Sequence, residues 1–260
     1  MEQAWILPVF AGLLGAVVGS FLNVCIYRLP RGKSIVSPPS SCPECGARIP
    51  WYLNVPLVSF LALRGRCRVC KIPISMRYPA IELLNGLLFW VIFDRFGISW
   101  LTPVFWLFAA ALVVIALIDL DHQIIPDVIS LPGIVVGFLC SFLIPWLSWS
   151  DAALGILLGG GSLFVIATGY QLLTGREGMG GGDIKLLAMV GAFMGWKAVL
   201  PIIFLASLLG TLVGVPLMLV QRKNARLALP FGPFIVCATL VFLLWGGLLF
   251  NYYLRLIGYS

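Results

Sequence analysis

Long apolar segments separated by short polar connections occupy most of this chain. Their hydropathy predicts eight membrane-spanning helices, at roughly 5–27, 79–94, 100–118, 128–147, 152–173, 184–196, 198–220 and 231–254. A helix that crosses a bilayer needs about 20 mainly apolar residues, and the second and sixth segments are the shortest candidates. Glu2 is the only charge before Tyr27, so the first segment is predicted to be a retained span rather than a cleaved signal peptide.

Composition agrees with this pattern. Apolar residues make up 61% of the 260 residues and charged residues only 10%, with a mean hydropathy of +1.05. A soluble domain carries about a quarter charged residues, so lipid must form part of the solvent of this chain. We expect an all-α membrane protein of about eight transmembrane helices. Its predicted parts are a first helix (1–27), a cytosolic segment (28–78) and a polytopic membrane domain (79–260).

The basic residues predict the orientation of the spans. If the N-terminus is periplasmic, the connections 28–78, 174–185 and 221–229 face the cytosol and hold fourteen of the seventeen Lys and Arg residues. Cytosolic loops of membrane proteins are enriched in positive charge, so this arrangement is favoured, with the C-terminus also periplasmic. The same excess accounts for the net charge of +7 without a nucleic-acid partner.

Segment 28–78 contains two CxxC knuckles, Cys42-Pro-Glu-Cys45 and Cys67-Arg-Val-Cys70. Two such knuckles can supply four thiolates to one tetrahedral zinc ion. Two disulfides or a redox CxxC are the alternatives, but disulfides rarely persist in the cytosol. We therefore predict a zinc ion held by Cys42, Cys45, Cys67 and Cys70, structural because the protein fills every coordination position.

Acidic residues are few, and two of them are placed for chemistry. Asp119 follows an apolar run at the end of the third predicted span, and Asp183 follows Gly180-Gly-Gly182 before the sixth. Two crossings separate them, so both return to the same membrane face. Neighbouring carboxylates share a proton, and the charged one can then activate water while the protonated one polarises a carbonyl.

The other features of these two stretches have simpler explanations. Asp127 suits the start of the fourth predicted span, where a carboxylate can accept from free N–H groups. Asp121 and His122 are expected to be exposed in a loop. The glycines before Asp183, including Gly178, would permit close backbone approach or unusual backbone angles. A flexible linker or an anion site at a helix start remains an alternative for this glycine stretch.

Taken together, these motifs resemble the type IV prepilin peptidases, a bacterial family of GxGD intramembrane aspartic proteases. The GxGD motif is Gly180-Gly-Gly-Asp183. The other matching parts are the two cysteine knuckles and residues 19–24, 54–58, 77–82, 117–127, 175–187 and 230–233.

The resemblance implies a specific activity. Members cleave the leader of type IV prepilins or type II secretion pseudopilins at the cytosolic face of the bacterial inner membrane. Many also methylate the new N-terminal residue with S-adenosylmethionine, a step that the family links to the cysteine segment and its flanks. By motif, Asp119 and Asp183 take the catalytic roles. A proton- or ion-coupled transporter and a membrane-anchored zinc scaffold are the alternative functions.

Overall fold

A computed structural model describes residues 5–175, 180–221 and 229–256, and it describes the side chains of all of these except 221 and 249–256. Its α-helices are α1 (Ile6–Arg28), α2 (Val58–Ala62), α3 (Arg77–Phe96), α4 (Leu101–His122), α5 (Asp127–Cys140), α6 (Trp149–Thr174), α7 (Gly181–Met194), α8 (Trp196–Gln221) and α9 (Gly232–Leu256). Within these residues the only β pairing is two isolated bridges. The prediction of an all-α protein is therefore confirmed.

Every predicted span overlaps a helix, but α5 ends at Cys140, well before the end of the predicted span 128–147. The count of eight crossings is not confirmed. Four helices are long and apolar enough to cross a membrane among the described residues: Ile6–Arg31, Leu101–His122, Trp149–Thr174 and Trp196–Val220. The 14 residues of α7 rise only about 21 Å, short of the roughly 30 Å hydrocarbon core. Helix α5 has the same number of residues and the same shortfall.

The chain divides into two compact units, Met1–Val114 and Ile115–Ser260. In the first unit α1 packs along α3, where a Cβ atom on Gly15 would lie 2.6 Å from Cβ of Phe89. Asn85 donates its side-chain amide to the carbonyl of Gly15 at 2.7 Å, and Asn23 donates to the carbonyl of Tyr78 at 3.2 Å. Small residues and amide hydrogen bonds are the usual means of joining helices in lipid. The predicted boundaries near residues 28 and 79 stay a prediction.

In the second unit α7 packs between α5 and α6, and its residues 186–193 are all buried. The backbones of Gly155 and Gly191 approach so closely that neither residue has room for a Cβ atom. The outer helices expose large apolar side chains such as Phe164 and Phe204, as expected for contact with lipid. Close packing on two sides fixes the position of α7, the helix that carries Asp183.

Candidate active site

Asp119 lies in the last turn of α4, which ends where Gln123 adopts a left-handed conformation (φ 55°). The side chain of Asp119 is 5% exposed and follows the fully buried Ile118. Its Oδ2 atom accepts a hydrogen bond of 3.1 Å from the backbone N–H of Gly232, the first residue of α9. A backbone N–H at a helix N-terminus favours a negative charge on this carboxylate.

Gly232 forms part of the surroundings of Asp119, and the sequence indicates it only as a member of the matching segment 230–233. A Cβ atom at this position would lie 2.5 Å from Oδ2 of Asp119 and 3.4 Å from Cδ1 of Ile125. A side chain here would push the carboxylate away from its present position against the N–H group. The available signal was a glycine between two prolines, Pro230-Phe-Gly-Pro233, at the start of an apolar span.

Asp183 lies in the first turn of α7, directly after Gly182. A Cβ atom on Gly182 would lie 2.9 Å from Cβ of Ile125, so Ile125 contacts both Gly182 and Gly232. Asp183 is half-buried and lies in none of the four candidate spans. Burial and, second, the negative charge of Asp119 raise the pKa of the Asp183 carboxyl to about 7. The two predicted catalytic carboxylates therefore interact electrostatically.

The glycines before Asp183 do not all serve the same purpose. Gly178 lies outside the described residues. Gly180, Gly181 and Gly182 all lack the left-handed backbone angles that would require glycine. A side chain on Gly181 would meet nothing within 4 Å, whereas Gly182 touches Ile125. Close backbone approach, one of the two expected uses of these glycines, is thus found at Gly182.

Asp127 has a different partner from the one expected. It begins α5, but the preceding cap position is Pro126 and no side chain caps the helix. The Nζ atom of Lys185, two residues after Asp183, donates to both carboxylate oxygens of Asp127 at 2.7 and 2.9 Å. This ion pair ties the start of α5 to the first turn of α7. Asp121 and His122 are exposed, as predicted, but they lie in the last turn of α4 and not in a loop.

The four predicted metal ligands also come together. The Sγ atoms of Cys42, Cys45, Cys67 and Cys70 all lie within 4.8 Å of one another, and those of Cys42 and Cys70 are 3.8 Å apart. Sulfur atoms around a tetrahedral zinc ion with Zn–S bonds of about 2.3 Å are separated by about 3.8 Å. All seven cysteines are free thiols. The cluster therefore has the geometry to hold a metal ion.

Local hydrogen bonds favour the deprotonated form of Cys67, which is the form that binds metal. The backbone N–H groups of Cys70 and then Val69 lower the pKa of Cys67 to about 6, whereas burial and hydrogen bonds with the other three thiols raise the pKa of Cys70 to about 12. With a pKa of about 6, Cys67 is largely a thiolate at neutral pH.

Comparison with known proteins assigns the chain to a family. Residues 13–96 match the family model described as bacterial peptidase A24 N-terminal domain, and residues 106–215 match the type IV leader peptidase family. A prepilin leader peptidase/N-methyltransferase from Pseudomonas putida is 38% identical over 285 residues, covering 100% of this chain and 97% of the relative. The chain belongs to the type IV leader peptidase family.

Two further relatives of the chain are also described as prepilin leader peptidase/N-methyltransferase. The one from Pseudomonas aeruginosa is 38% identical over 271 residues, covering 95% of this chain and 93% of the relative. The one from Myxococcus xanthus is 44% identical over 217 residues, covering 83% of this chain and 64% of the relative. No solved structure matches the chain.

Family membership confirms the resemblance and leaves the transporter alternative without support. The first matched segment, 13–96, contains all four clustered cysteines, and the second, 106–215, contains Asp119 and Asp183. Gly232 and the start of α9 lie beyond both matched segments, although they complete the surroundings of Asp119.

Proposed function

We propose that this chain is an aspartic endopeptidase of the bacterial inner membrane that cleaves the leader from type IV prepilins or type II secretion pseudopilins. Its relatives are described as prepilin leader peptidases and N-methyltransferases. The proposal extends their activities to this chain and assigns the cleavage to Asp119 and Asp183. The positive-inside pattern of the sequence supports a cytosol-facing site and periplasmic termini.

The observation that carries this assignment is a buried carboxylate, Asp119, held by a helix N-terminus beside a second carboxylate with a raised pKa. The pair would hold one proton, with Asp183 as the favoured carrier because its pKa is about 7. Asp119 would remain charged, stabilised by the N–H of Gly232, and remove a proton from water. Asp183 would donate its proton to the scissile carbonyl oxygen as water adds to the carbonyl carbon.

Cleavage and methylation can be tested on the same product. Purified enzyme in detergent, incubated with a prepilin, should shorten it by the mass of its leader. With S-adenosylmethionine present, the product should gain the mass of one methyl group. Asn at position 119 or 183 should abolish the shortening. A wild-type enzyme that leaves prepilin intact under conditions where it is folded would contradict the proposal.

We also assign a structural zinc ion to Cys42, Cys45, Cys67 and Cys70, which fill all four positions of a tetrahedral site. Such an ion would supply folding free energy rather than a reactive position for water. Elemental analysis should find about one zinc per chain in wild type, and close to none in a Cys42→Ser, Cys67→Ser variant. A metal-free wild-type protein with intact cleavage and methylation would overturn this assignment.

A further inference from the structure

The two cysteine knuckles form a structural repeat in which residue numbers differ by 25. In the first, Cys42 N–H donates to Ala47 O, at 2.9 Å, and Gly46 N–H to Cys42 O, at 3.0 Å. The second has the same bonds from Cys67 to Ile72 at 2.9 Å and from Lys71 to Cys67 at 3.1 Å. The bridges Ser41–Arg48 and Arg66–Pro73 also correspond. Each knuckle can therefore serve as an internal reference for the other.

The two knuckles differ sharply in charge. The second has four cations where the first has uncharged residues: Arg64 for Pro39, Arg66 for Ser41, Arg68 for Pro43 and Lys71 for Gly46. Conversely, the first knuckle has one cation, Arg48, and one acid, Glu44, where the second has the uncharged Pro73 and Val69. Because both knuckles contribute two thiolates, the fold of a knuckle does not account for this difference.

Two of these cations occupy positions that suit glycine better. Lys71 has φ 60°, close to the φ of 68° of its counterpart Gly46, and Arg64 has φ 53°. Left-handed angles cost free energy in residues with a Cβ atom, and residues held in this way cluster at functional sites. Glycine is sufficient for this turn in the first knuckle, as Gly46 shows. The second knuckle has Lys71 at the same position despite the cost of its left-handed angle.

Arg64, Arg66 and Lys71 surround a common recess. Together with Leu63 and Cys67 they line a volume of about 390 Å³. The three cations are exposed, and none forms an ion pair within the part of the chain that the structure describes. Arg68 instead donates to the hydroxyl of Tyr52 at 2.8 Å. The recess thus presents three uncompensated cationic groups.

The charge of a four-thiolate zinc centre does not balance these cations. Four thiolates and one Zn²⁺ carry two negative charges, and Glu44 is the single acid in segment 28–78. That segment holds nine basic residues, so a large positive excess remains. The recess is therefore positively charged and open to an anion from outside segment 28–78.

The location of the domain indicates where that anion comes from. The segment that carries the two knuckles follows directly after a candidate membrane span, Ile6–Arg31, so it lies at a membrane surface. Just before the recess, α2 exposes Val58 (62%) and Leu61 (73%). Exposed apolar side chains beside clustered cations are typical of surfaces that contact anionic lipid.

We propose that the recess formed by Arg64, Arg66 and Lys71 binds the phosphate group of an anionic membrane phospholipid. Arginine and lysine both form charge-assisted hydrogen bonds with phosphate oxygens. The contact would hold the second knuckle against the membrane surface. This inference does not depend on the peptidase or methyltransferase activities, because it concerns only lipid binding.

The test is a lipid titration of the full-length protein in detergent, followed by native mass spectrometry. The lipids are dioleoylphosphatidylglycerol and its phosphatidylcholine counterpart, and a separate arm adds inorganic phosphate. An Arg66→Ser, Lys71→Gly variant takes the residues of the first knuckle and should keep its fold. A Lys33→Gln, Arg48→Gln variant removes the same charge from the domain outside the recess.

Wild type should bind phosphatidylglycerol more tightly than phosphatidylcholine, and the Arg66→Ser, Lys71→Gly variant should lose about tenfold in that affinity. The Lys33→Gln, Arg48→Gln control should stay within about twofold of wild type. Zinc content verifies that each variant is folded, and Arg64→Gln replaces the double variant if zinc is lost. Unchanged affinity in the recess variant, or equal binding of both lipids, would overturn the proposal. Displacement of the lipid by millimolar inorganic phosphate would assign the recess to a free anion instead.

Discussion

Substitution of Gly159 by alanine should move Asp183, one of the two proposed catalytic carboxylates, without touching its side chain. Gly159 lies on α6 against α7, where a Cβ atom would be 2.5 Å from the carbonyl oxygen and 3.0 Å from the carbonyl carbon of Leu187. Both are backbone atoms and cannot rotate away. Leu187 is one helical turn from Asp183 on α7.

The size of the displacement follows from these distances. Ordinary contact with a Cβ atom begins at 3.4 Å, so the helices must separate locally by about 0.9 Å to admit the alanine. An error of about 1 Å in the placement of a reacting group costs up to about a hundredfold in rate. We expect kcat/KM for prepilin cleavage to fall between about 10-fold and 100-fold, and overpacking to destabilise the fold by about 1–3 kcal/mol.

Gly161→Ala supplies the matched control, since a Cβ atom there meets nothing within 4 Å on the same helix. The assay is the rate of prepilin cleavage in detergent, measured with the thermal unfolding midpoint of each variant. Gly161→Ala should retain cleavage within about twofold and gain slight stability from helix propensity. If Gly159→Ala unfolds earlier yet cleaves at the wild-type rate, α6 alone absorbs the displacement and the reasoning about Asp183 fails.

Three further predictions concern the surroundings of the same site. Gly182→Ala should lower kcat/KM at least about tenfold because its Cβ atom would lie 2.9 Å from Cβ of Ile125, whereas Gly181→Ala should have little effect. Equal losses of kcat/KM in the two variants would contradict a specific role of the contact with Ile125. Lys185→Asp should lower kcat for cleavage several-fold because it breaks the ion pair with Asp127, and the additional substitution Asp127→Lys should restore kcat. If kcat is not restored, the ion pair does not position α7. Cleavage should decline as pH rises above about 7, where Asp183 loses its proton, and a rate that stays constant to pH 9 would rule out Asp183 as the acid.

Local patterns were sufficient to predict the helices and the clustering of the four cysteines. Hydropathy located each long helix to within a few residues, because lipid imposes the same apolar requirement along the whole segment. The CxxC spacing predicted the four-sulfur cluster, because two residues between cysteines allow both thiols to reach one ion. The number of crossings could not be predicted in the same way, since α5 and α7 are apolar but short.

The surroundings of the aspartates depend on contacts between distant parts of the chain. The hydrogen bond from Gly232 to Asp119 joins residues 113 positions apart, and the ion pair of Lys185 with Asp127 spans 58. Single-sequence patterns contain no information on such pairings. Asp127 was accordingly predicted as a helix-start acceptor. The glycine at 232 acquires its role only when the neighbouring carboxylate is in place.

Asp119 and Asp183 are proposed to act together in cleavage, and single-turnover cleavage of a purified prepilin tests this cooperation. Asp119→Asn and Asp183→Asn should each lower the rate by at least about a thousandfold, and the double variant should be no slower than either, because the pair acts as a unit. Asp121→Asn, two residues from Asp119 and exposed, should cleave within about threefold of wild type. Full activity in a folded Asp119→Asn or Asp183→Asn variant would contradict the account.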